Sequence, residues 1–361
     1  MRMNFAISGA LLGLCFATAA QAAAVPHYDH VFVILEENRS VDEIIGGPDT
    51  PELTRLAKTY GLATNFFAIR HPSEPNYVVL VGGDTFGIRD DDAFYCAPGK
   101  TDPGCPSASR PGYVDHTVPG DNLTSQLGKV GLTWKGYFES LPEPGSLAYR
   151  APSPEAPVAG QPDALYAVKH NGFMTFKSVQ DDPARASKIV GFDALEHDIA
   201  AGTLPNFAHI VPNQCDDMHG LRGHDVPQDC LGKNRGLLAR ADTMAGKIVT
   251  EIMQSAQWRA PGNSAIVITF DEGDSAEERA SGPMGCCGTN PADPDHPGGG
   301  HIPTIVITNH GPRGLQDPTP YNHYSLLRTI EDAFGIQQHL RHAADTDKGV
   351  VSMTPLFAVT R

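Results

Sequence analysis

The sequence lacks any run of basic residues, and its acidic side chains outnumber the basic ones by 42 to 27. A surface of this charge repels polyanions, so nucleic acid is excluded as a partner. Beyond residue 22 there is also no apolar stretch long enough to cross a bilayer, and no stable membrane insertion is expected. Internal repeats, a low-complexity tail and an interdomain linker are missing as well, which favours one domain.

The first 22 residues, MRMNFAISGALLGLCFATAAQA, differ in character from the rest of the chain. They contain one arginine, then an apolar run, and end in Ala-Gln-Ala, a pattern typical of a secretory signal peptide with its cleavage site. The apolar run is too short for a membrane span. We therefore predict a bacterial protein that is periplasmic or secreted, with residues 23–361 forming a single domain.

The cysteines lack the paired C-x-x-C spacing that is typical of structural zinc sites, which makes a thiolate metal site the weaker interpretation. Six of the seven cysteines follow the signal peptide, and an even number in an exported protein predicts disulfides. Pairing between sequence neighbours is the simplest connectivity: Cys96 with Cys105, Cys215 with Cys230, and Cys286 with Cys287.

Apolar runs rich in β-branched residues alternate with helical patterns. The runs are continuous, as expected for strands that are buried on both faces, and lie at 30–35, 188–192, 206–212, 264–270 and 301–308. Helical patterns lie at 51–61, 121–131, 236–258 and 321–335. This alternation predicts an α/β fold, a three-layer α/β/α sandwich with a central, mostly parallel sheet. Loop excursions are expected near 84–120, 142–162 and 274–300.

Polar residues follow three of the predicted strands. Glu36, Glu37 and Asn38 follow the first, Asp271 and Glu272 follow the run at 264–270, and the run at 206–212 leads into Asp216, Asp217 and His219. Any one group alone would fit a solvated loop equally well. Ligands bind at the carboxyl ends of strands in such sheets, and converging carboxylates repel unless a cation lies among them. Their oxygen atoms suit Mg, Ca, Mn or a similar divalent ion.

The segment RHPSEPNYVVLVGG, residues 70–83, supplies a candidate nucleophile. Ser73 precedes Pro75 at a predicted helix start, where the positive end of the helix dipole attracts phosphate and favours an alkoxide. The alternative is that Ser73 only caps the helix, which is the commoner role of a serine at this position.

Taken together, these segments resemble the phosphoesterase family of bacterial acid phosphatases and phosphocholine-type phospholipases C, within the alkaline phosphatase superfamily. The matching segments span nearly the whole mature chain in order: EENRSVDEIIG (36–46), HPSEPNYVVLVGG (71–83), VPNQCDDMHG (211–220), ITFDEGD (268–274), HIPTIVITNHGPRG (301–314) and YNHYSLLRTIEDAFGI (321–336). The resemblance implies an alkaline-phosphatase-like core and one divalent metal. Its ligands would be Glu37, Asn38, Ser73, Asp271 and Glu272.

By the same resemblance, Ser73 would be both nucleophile and ligand, and His219 and His301 would lie near the phosphoryl group. Val41 stands where the family motif commonly has phenylalanine. The chain is also short for a phospholipase C, which favours a compact phosphomonoesterase. The alternatives are a phospholipase C that acts on phosphodiester lipids and a binding protein for phosphate or phospholipid headgroups without turnover. The expected partner is accordingly a small phosphorylated substrate or a headgroup.

Four other polar sites have two interpretations each. His71 either orients the Ser73 loop or reacts, and His323 either starts a helix or joins the site. Asp295 and His296 lie in a glycine-rich loop that is either a lid or simply exposed. Asp242, within the long helical pattern, either supports the site or is solvated.

Overall fold

The computed structural model describes residues 24–91, 115–151, 164–221, 228–232, 234–274, 282 and 284–360. Within these ranges the strands are β1 His30–Glu36, β2 Gly61–Ala63, β3 Phe66–Phe67, β4 Trp134–Phe138, β5 Arg150–Ala151, β6 Tyr166–Ala167, β7 Ile189–Val190, β8 Phe207–Val211, β9 Ser264–Phe270, β10 Thr304–Thr308, β11 Leu315–Asp317 and β12 Tyr321–Asn322. The predicted signal peptide lies outside the described residues.

Eight of these strands form one sheet in the order β11-β2-β10-β9-β1-β8-β4-β7. The five strands from β9 to β7 are parallel, whereas β10 runs antiparallel to both of its neighbours. Every residue of β8, β9 and β10 is buried, because both faces of the sheet are covered.

The α-helices are α1 Val41–Ile44, α2 Pro51–Thr59, α3 Glu74–Gly82, α4 Leu123–Lys129, α5 Lys177–Gln180, α6 Phe192–Ala201, α7 Arg235–Gln254, α8 Ala256–Arg259, α9 His323–Ala333 and α10 Thr354–Phe357. Helix α2 packs against α7, and α3 packs against α9. These layers around the mostly parallel sheet confirm the predicted α/β/α sandwich.

The register between the two central strands positions the site. Strand β1 pairs with β9 so that Glu36 lies opposite Phe270, and both strands end there. Glu37 and Asp271 therefore leave the sheet side by side, and the Asp271 amide donates a 3.0 Å hydrogen bond to the Glu36 carbonyl. The convergence that was predicted from the strand ends thus follows directly from strand pairing.

Some elements differ from the sequence-based expectation. Strands β2, β4 and β11 had no clear signal, because β2 and β11 have three residues each and β4, WKGYF, contains lysine and glycine. The long helical pattern at 236–258 is two helices, since Ser255 ends α7 and its side chain accepts a 3.2 Å hydrogen bond from the Trp258 amide at the start of α8. Helix α6 was not predicted.

Among the described residues, no helix combines the length and the apolar character that a membrane span requires. Two of the three predicted disulfides are present, Cys215–Cys230 and Cys286–Cys287. The first joins the loop after β8 to residues 228–232. Cys96 and Cys105 lie outside the described residues, so their pairing stays a prediction.

We expect mass spectrometry of the unreduced protein to find no free thiol among the six cysteines beyond residue 22. An even number of cysteines, four of them already bonded in the structure, leaves one remaining pair. Alkylation under denaturing conditions, with the reduced protein as control, measures this directly. Two or more alkylated cysteines in the unreduced sample would contradict the disulfide framework.

Candidate active site

The turn after β1 joins the ends of the two central strands. Asn38 has a φ of 51°, a left-handed conformation that asparagine tolerates better than most residues. Its backbone amide donates a 2.9 Å hydrogen bond to Asp271 Oδ1, and its side-chain amide donates a 2.7 Å bond to Glu37 Oε2. Three of the predicted metal ligands are therefore in mutual contact.

Ser73 precedes the first residue of α3, but its side chain makes no capping hydrogen bond. The Glu74 amide instead donates a 3.0 Å bond to Asp91 Oδ1, so another residue caps this end of the helix. Ser73 Oγ lies 3.4 Å from Glu37 Oε2 and 3.4 Å from Glu272 Oε1. The buried hydroxyl thus points at two of the predicted ligands rather than at the helix.

Near the ends of the central strands, several buried carboxylate oxygens lack an aligned hydrogen-bond partner among the described residues, although Glu37 Oε1 and Glu272 Oε2 each lie 2.9 Å from a histidine nitrogen. The oxygens without an aligned partner are Glu37 Oε1, Asp217 Oδ2, Asp271 Oδ2 and Glu272 Oε2. A buried carboxylate that is ionised without enough hydrogen bonds or counter-ions is costly, so it either takes up a proton or lies beside a cation. The cluster of hard oxygen donors fits a divalent cation. Asp217 belongs to this cluster, although it was not in the predicted ligand set.

The electrostatics of these carboxylates agree with that fit. Burial, followed by the charge of Glu37, raises the pKa of Asp271 and of Asp217 well above the ordinary range. Burial raises the pKa of Glu272 to about 7, although His71 opposes the shift. Burial alone would also raise the pKa of Glu37, but the neighbouring His170 lowers it. Ionising all four carboxylates therefore requires additional positive charge.

Two basic residues that the sequence analysis missed lie beside this cluster. His170 Nε2 is 2.9 Å from Glu37 Oε1, an ion-pair distance without hydrogen-bond alignment, and the ring stacks on Tyr77 with centroids 5.0 Å apart. Lys169 Nζ donates a 2.9 Å bond to Asp91, the residue that caps α3. The sequence signal for these two residues is the triplet Lys-His-Asn within an otherwise apolar segment. This signal is too weak to predict a site.

His219 lines a cavity of about 720 Å³ that opens beside the carboxylates, together with Asn38, Arg39, His71, Glu272 and Asp274. His219 Nδ1 lies 2.7 Å from the Gly220 carbonyl, which can only accept, so Nδ1 carries the proton. Nε2 is then the nitrogen available to a ligand. Burial lowers the pKa of His219. His71 contacts Glu272, with Nδ1 2.9 Å from Oε2.

His301 has side-chain contacts of its own among the described residues, and its role near the phosphoryl group stays a prediction. Its Nε2 lies 3.0 Å from the Thr64 carbonyl, and its ring packs against Phe67 with centroids 5.2 Å apart. It is not among the residues that line the cavity. None of its described side-chain contacts involves the carboxylates, so the structure does not bring it together with the other predicted site residues.

Adjacent residues of a strand point to opposite faces, which separates Glu36 from Glu37. Glu36 is fully buried and both of its oxygens lack hydrogen bonds. Its burial, followed by the charges of Asp216 and Asp242, raises its pKa well above the ordinary range. Glu36 therefore belongs to a different environment and is not a candidate ligand beside Ser73.

Two other residues from the sequence analysis have contacts that explain them structurally. Asp242 accepts hydrogen bonds from the amides of Glu52 (2.9 Å) and Leu53 (2.8 Å), and so caps α2. His323 is fully buried, and its Nε2 lies 2.9 Å from the Phe270 carbonyl at the end of β9.

A model described as the phosphoesterase family matches residues 47–337. This range includes Ser73, His219, Asp271 and Glu272 and begins after Glu37 and Asn38. It covers most of the chain.

Curated relatives are phosphatases by name. A phosphatidylinositol-3-phosphatase of Mycobacterium tuberculosis is 28% identical over 315 residues, which are 87% of this chain and 80% of that protein. A phosphate-repressible acid phosphatase of Penicillium chrysogenum is 27% identical over 79% of this chain. This chain spans between 50% and 61% of the length of the four fungal acid phosphatases that it matches.

Solved structures with the same fold are more distant in sequence. A protein in the alkaline phosphatase superfamily from Vibrio parahaemolyticus has a TM-score of 0.52 at 13% identity, over 88% of this chain and 69% of that one. A sulfatase from Pseudoalteromonas sp. has a TM-score of 0.50 at 13% identity, over 87% and 70%. At such low identity these matches establish the fold alone.

Proposed function

Because the chain belongs to the phosphoesterase family and is a hydrolase acting on phosphoric esters, we propose that it is an exported, metal-dependent phosphomonoesterase with Ser73 as its nucleophile. The observation that carries this proposal is the direction of the Ser73 hydroxyl. It makes no cap bond and lies 3.4 Å from each of two buried glutamates. Export rests on the signal-peptide pattern and on the disulfides.

The proposed ligand set is Glu37, Asn38, Ser73, Asp271 and Glu272, with Asp217 beside it. A divalent ion such as Mg, Ca or Mn, when bound there, would supply the positive charge that neutralises these carboxylates and attracts the substrate phosphate. The close grouping of the buried Glu37, Asp271 and Glu272 carboxylates supports this assignment, since each has an oxygen without an aligned hydrogen bond among the described residues.

In the proposed reaction, Ser73 Oγ attacks phosphorus in line with the ester oxygen. An Oγ–P bond forms while the bond from phosphorus to the leaving oxygen breaks, which gives a phosphoserine and an alcohol. The proton that leaves Ser73 Oγ is the one that the leaving oxygen takes up, so the transfer consumes no net proton. The unprotonated Nε2 of His219, which borders the cavity, would accept the Ser73 proton and pass it to the leaving oxygen, and while protonated it could hold a phosphate oxygen. Water then hydrolyses the phosphoserine and releases inorganic phosphate.

The names of the relatives favour monoesters over diesters. An acid phosphatase and a phosphatidylinositol-3-phosphatase both, by name, remove a terminal phosphate group. The second candidate function, a phospholipase C, would instead cleave a phosphodiester. Two kinds of substrate fit the hydrolysis of a phosphomonoester equally. One is a phosphorylated lipid headgroup, and the other is a free small phosphomonoester.

A substrate panel tests the proposal. We expect rapid hydrolysis of an aryl phosphate monoester and slower hydrolysis of the matched aryl phosphocholine diester, because the relatives are by name phosphatases. Activity should disappear after chelation and return with a divalent ion, with the heat-denatured protein as blank. Preference for the diester would support the phospholipase C reaction. Binding of phosphate without hydrolysis of either ester would support a non-catalytic binding protein.

A further inference from the structure

A second group of metal-ligating side chains lies at the other end of the helix that Ser73 precedes. We call Asp84, His296 and His342 the distal cluster. One potential ligand atom from each residue lies within 4.8 Å of those from the other two. His342 Nε2 is 3.8 Å from Asp84 Oδ1. His296 Nε2 is buried and has no hydrogen-bond partner in the part of the chain that the structure describes.

Both histidines of the distal cluster are oriented by a carboxylate on their other nitrogen. His296 Nδ1 lies 3.2 Å from Asp293 Oδ2, and His342 Nδ1 lies 2.8 Å from Asp345 Oδ2. A carboxylate that accepts from Nδ1–H leaves the Nε2 lone pair free. This carboxylate–histidine arrangement is the usual support of histidines that bind a metal.

Buried side chains cover one side of the distal cluster, while Asp84 and His342 are each 30% exposed. Tyr324 is 3% exposed, its hydroxyl has no partner, and its ring contacts both histidines at centroid distances of 6.2 and 5.2 Å. Ile69, Val79 and Val350 pack with it. Asp84 directly follows Gly83, the C-cap of α3, and the carbonyl end of a helix attracts cations.

A network of simple ion pairs is the alternative explanation. The cluster Glu74, Asp90 and His116 is an example, because each ring nitrogen of His116 faces a carboxylate, at 2.9 Å from Glu74 and 3.3 Å from Asp90. The distal cluster differs from it, since ion pairing alone leaves His296 Nε2 and the Tyr324 hydroxyl buried without partners. A metal ion would satisfy the first directly.

We propose that the distal cluster binds a divalent transition metal of the zinc type. Two imidazole nitrogens and one carboxylate oxygen suit such an ion, with a fourth position left for water or the Tyr324 hydroxyl. Helix α3 has nine residues, so the site lies roughly 13 Å along the helix from Ser73. The bound ion would hold the segments that contain His296 and His342 against the C-terminal end of α3.

Zinc titration of the chelator-treated full-length protein tests this proposal. By calorimetry and metal analysis, His342→Ala and His296→Ala should each bind one zinc equivalent fewer than the wild type. Zinc should raise the melting temperature of the wild type but not that of these variants. His197→Ala, on the exposed face of α6, is the control and should behave like the wild type. Asp293→Asn keeps all three ligands and should weaken zinc binding by about 10- to 100-fold.

Glu37→Gln separates the distal cluster from the proposed active-site metal. The Glu37→Gln variant should retain the zinc equivalent that His342→Ala removes. The variant that carries both substitutions should lose this zinc equivalent. The proposal is wrong if His342→Ala and Asp293→Asn both bind as much zinc as the wild type with unchanged affinity. It is equally wrong if the wild type binds no zinc that survives Glu37→Gln.

Discussion

Replacing Ser73 by alanine is expected to lower turnover by roughly a thousandfold or more, as the loss of other catalytic nucleophiles does. The substitution removes a hydroxyl that lies 3.4 Å from both Glu37 and Glu272. The fold should survive, because Ser73 makes no cap bond and the Glu74 amide is bonded to Asp91. Steady-state kinetics with an aryl phosphate, together with circular dichroism, measure both effects.

Ser255 offers a matched control for Ser73. It is a buried serine that does cap a helix, since its side chain accepts from the Trp258 amide. Ser255→Ala should cost about 1 kcal/mol of unfolding free energy and leave turnover unchanged. If Ser73→Ala instead retained about a tenth or more of wild-type activity, water would be the attacking group and Ser73 would not be the nucleophile.

Glu37→Gln and Asp271→Asn should each lower bound divalent metal and activity together. Each change replaces a carboxylate oxygen of the buried cluster by an amide, which is a weaker ligand for a hard cation. Glu37 and Asp271 leave adjacent strands side by side, so one ion can contact both. Metal content after dialysis and turnover at saturating metal are the two measurements.

Glu36→Gln is the matched control, because Glu36 precedes Glu37 and its side chain lies in the different environment of Asp216 and Asp242. Its oxygens have no hydrogen bonds to lose, so metal content and activity should stay at the wild-type level. Full metal content and normal turnover in either Glu37→Gln or Asp271→Asn would show that the ligand set is wrong.

The central part of the site could be predicted from the sequence, because the ends of the strands determine where its carboxylates lie. Glu37 and Asp271 come directly after apolar runs that read as buried strands, and parallel pairing of β1 with β9 brings them together. Ser73 was predicted from the proline at position 75, which lies in the first turn of α3. In these cases the local sequence sets where each strand or helix ends. Strand pairing in the sheet then brings the side chains together.

The remaining part depends on packing that no local pattern encodes. His170 reaches Glu37 from a short helical turn, Val168–His170, that has no periodic signal. Asp217 joins the cluster because the Glu37 amide donates a 2.7 Å bond to its carbonyl, a contact across 180 positions of sequence. His301 shows the converse, because its motif suggested a site role while its ring contacts Phe67 and Thr64.

The stereochemical course at phosphorus tests the central claim most directly. With an aryl phosphate made chiral by oxygen isotopes, and an alcohol as acceptor in place of water, a phosphoserine on Ser73 requires two in-line displacements. Each displacement inverts phosphorus, so we predict net retention of configuration. Net inversion would show a single direct transfer, and would contradict a mechanism in which Ser73 attacks the substrate.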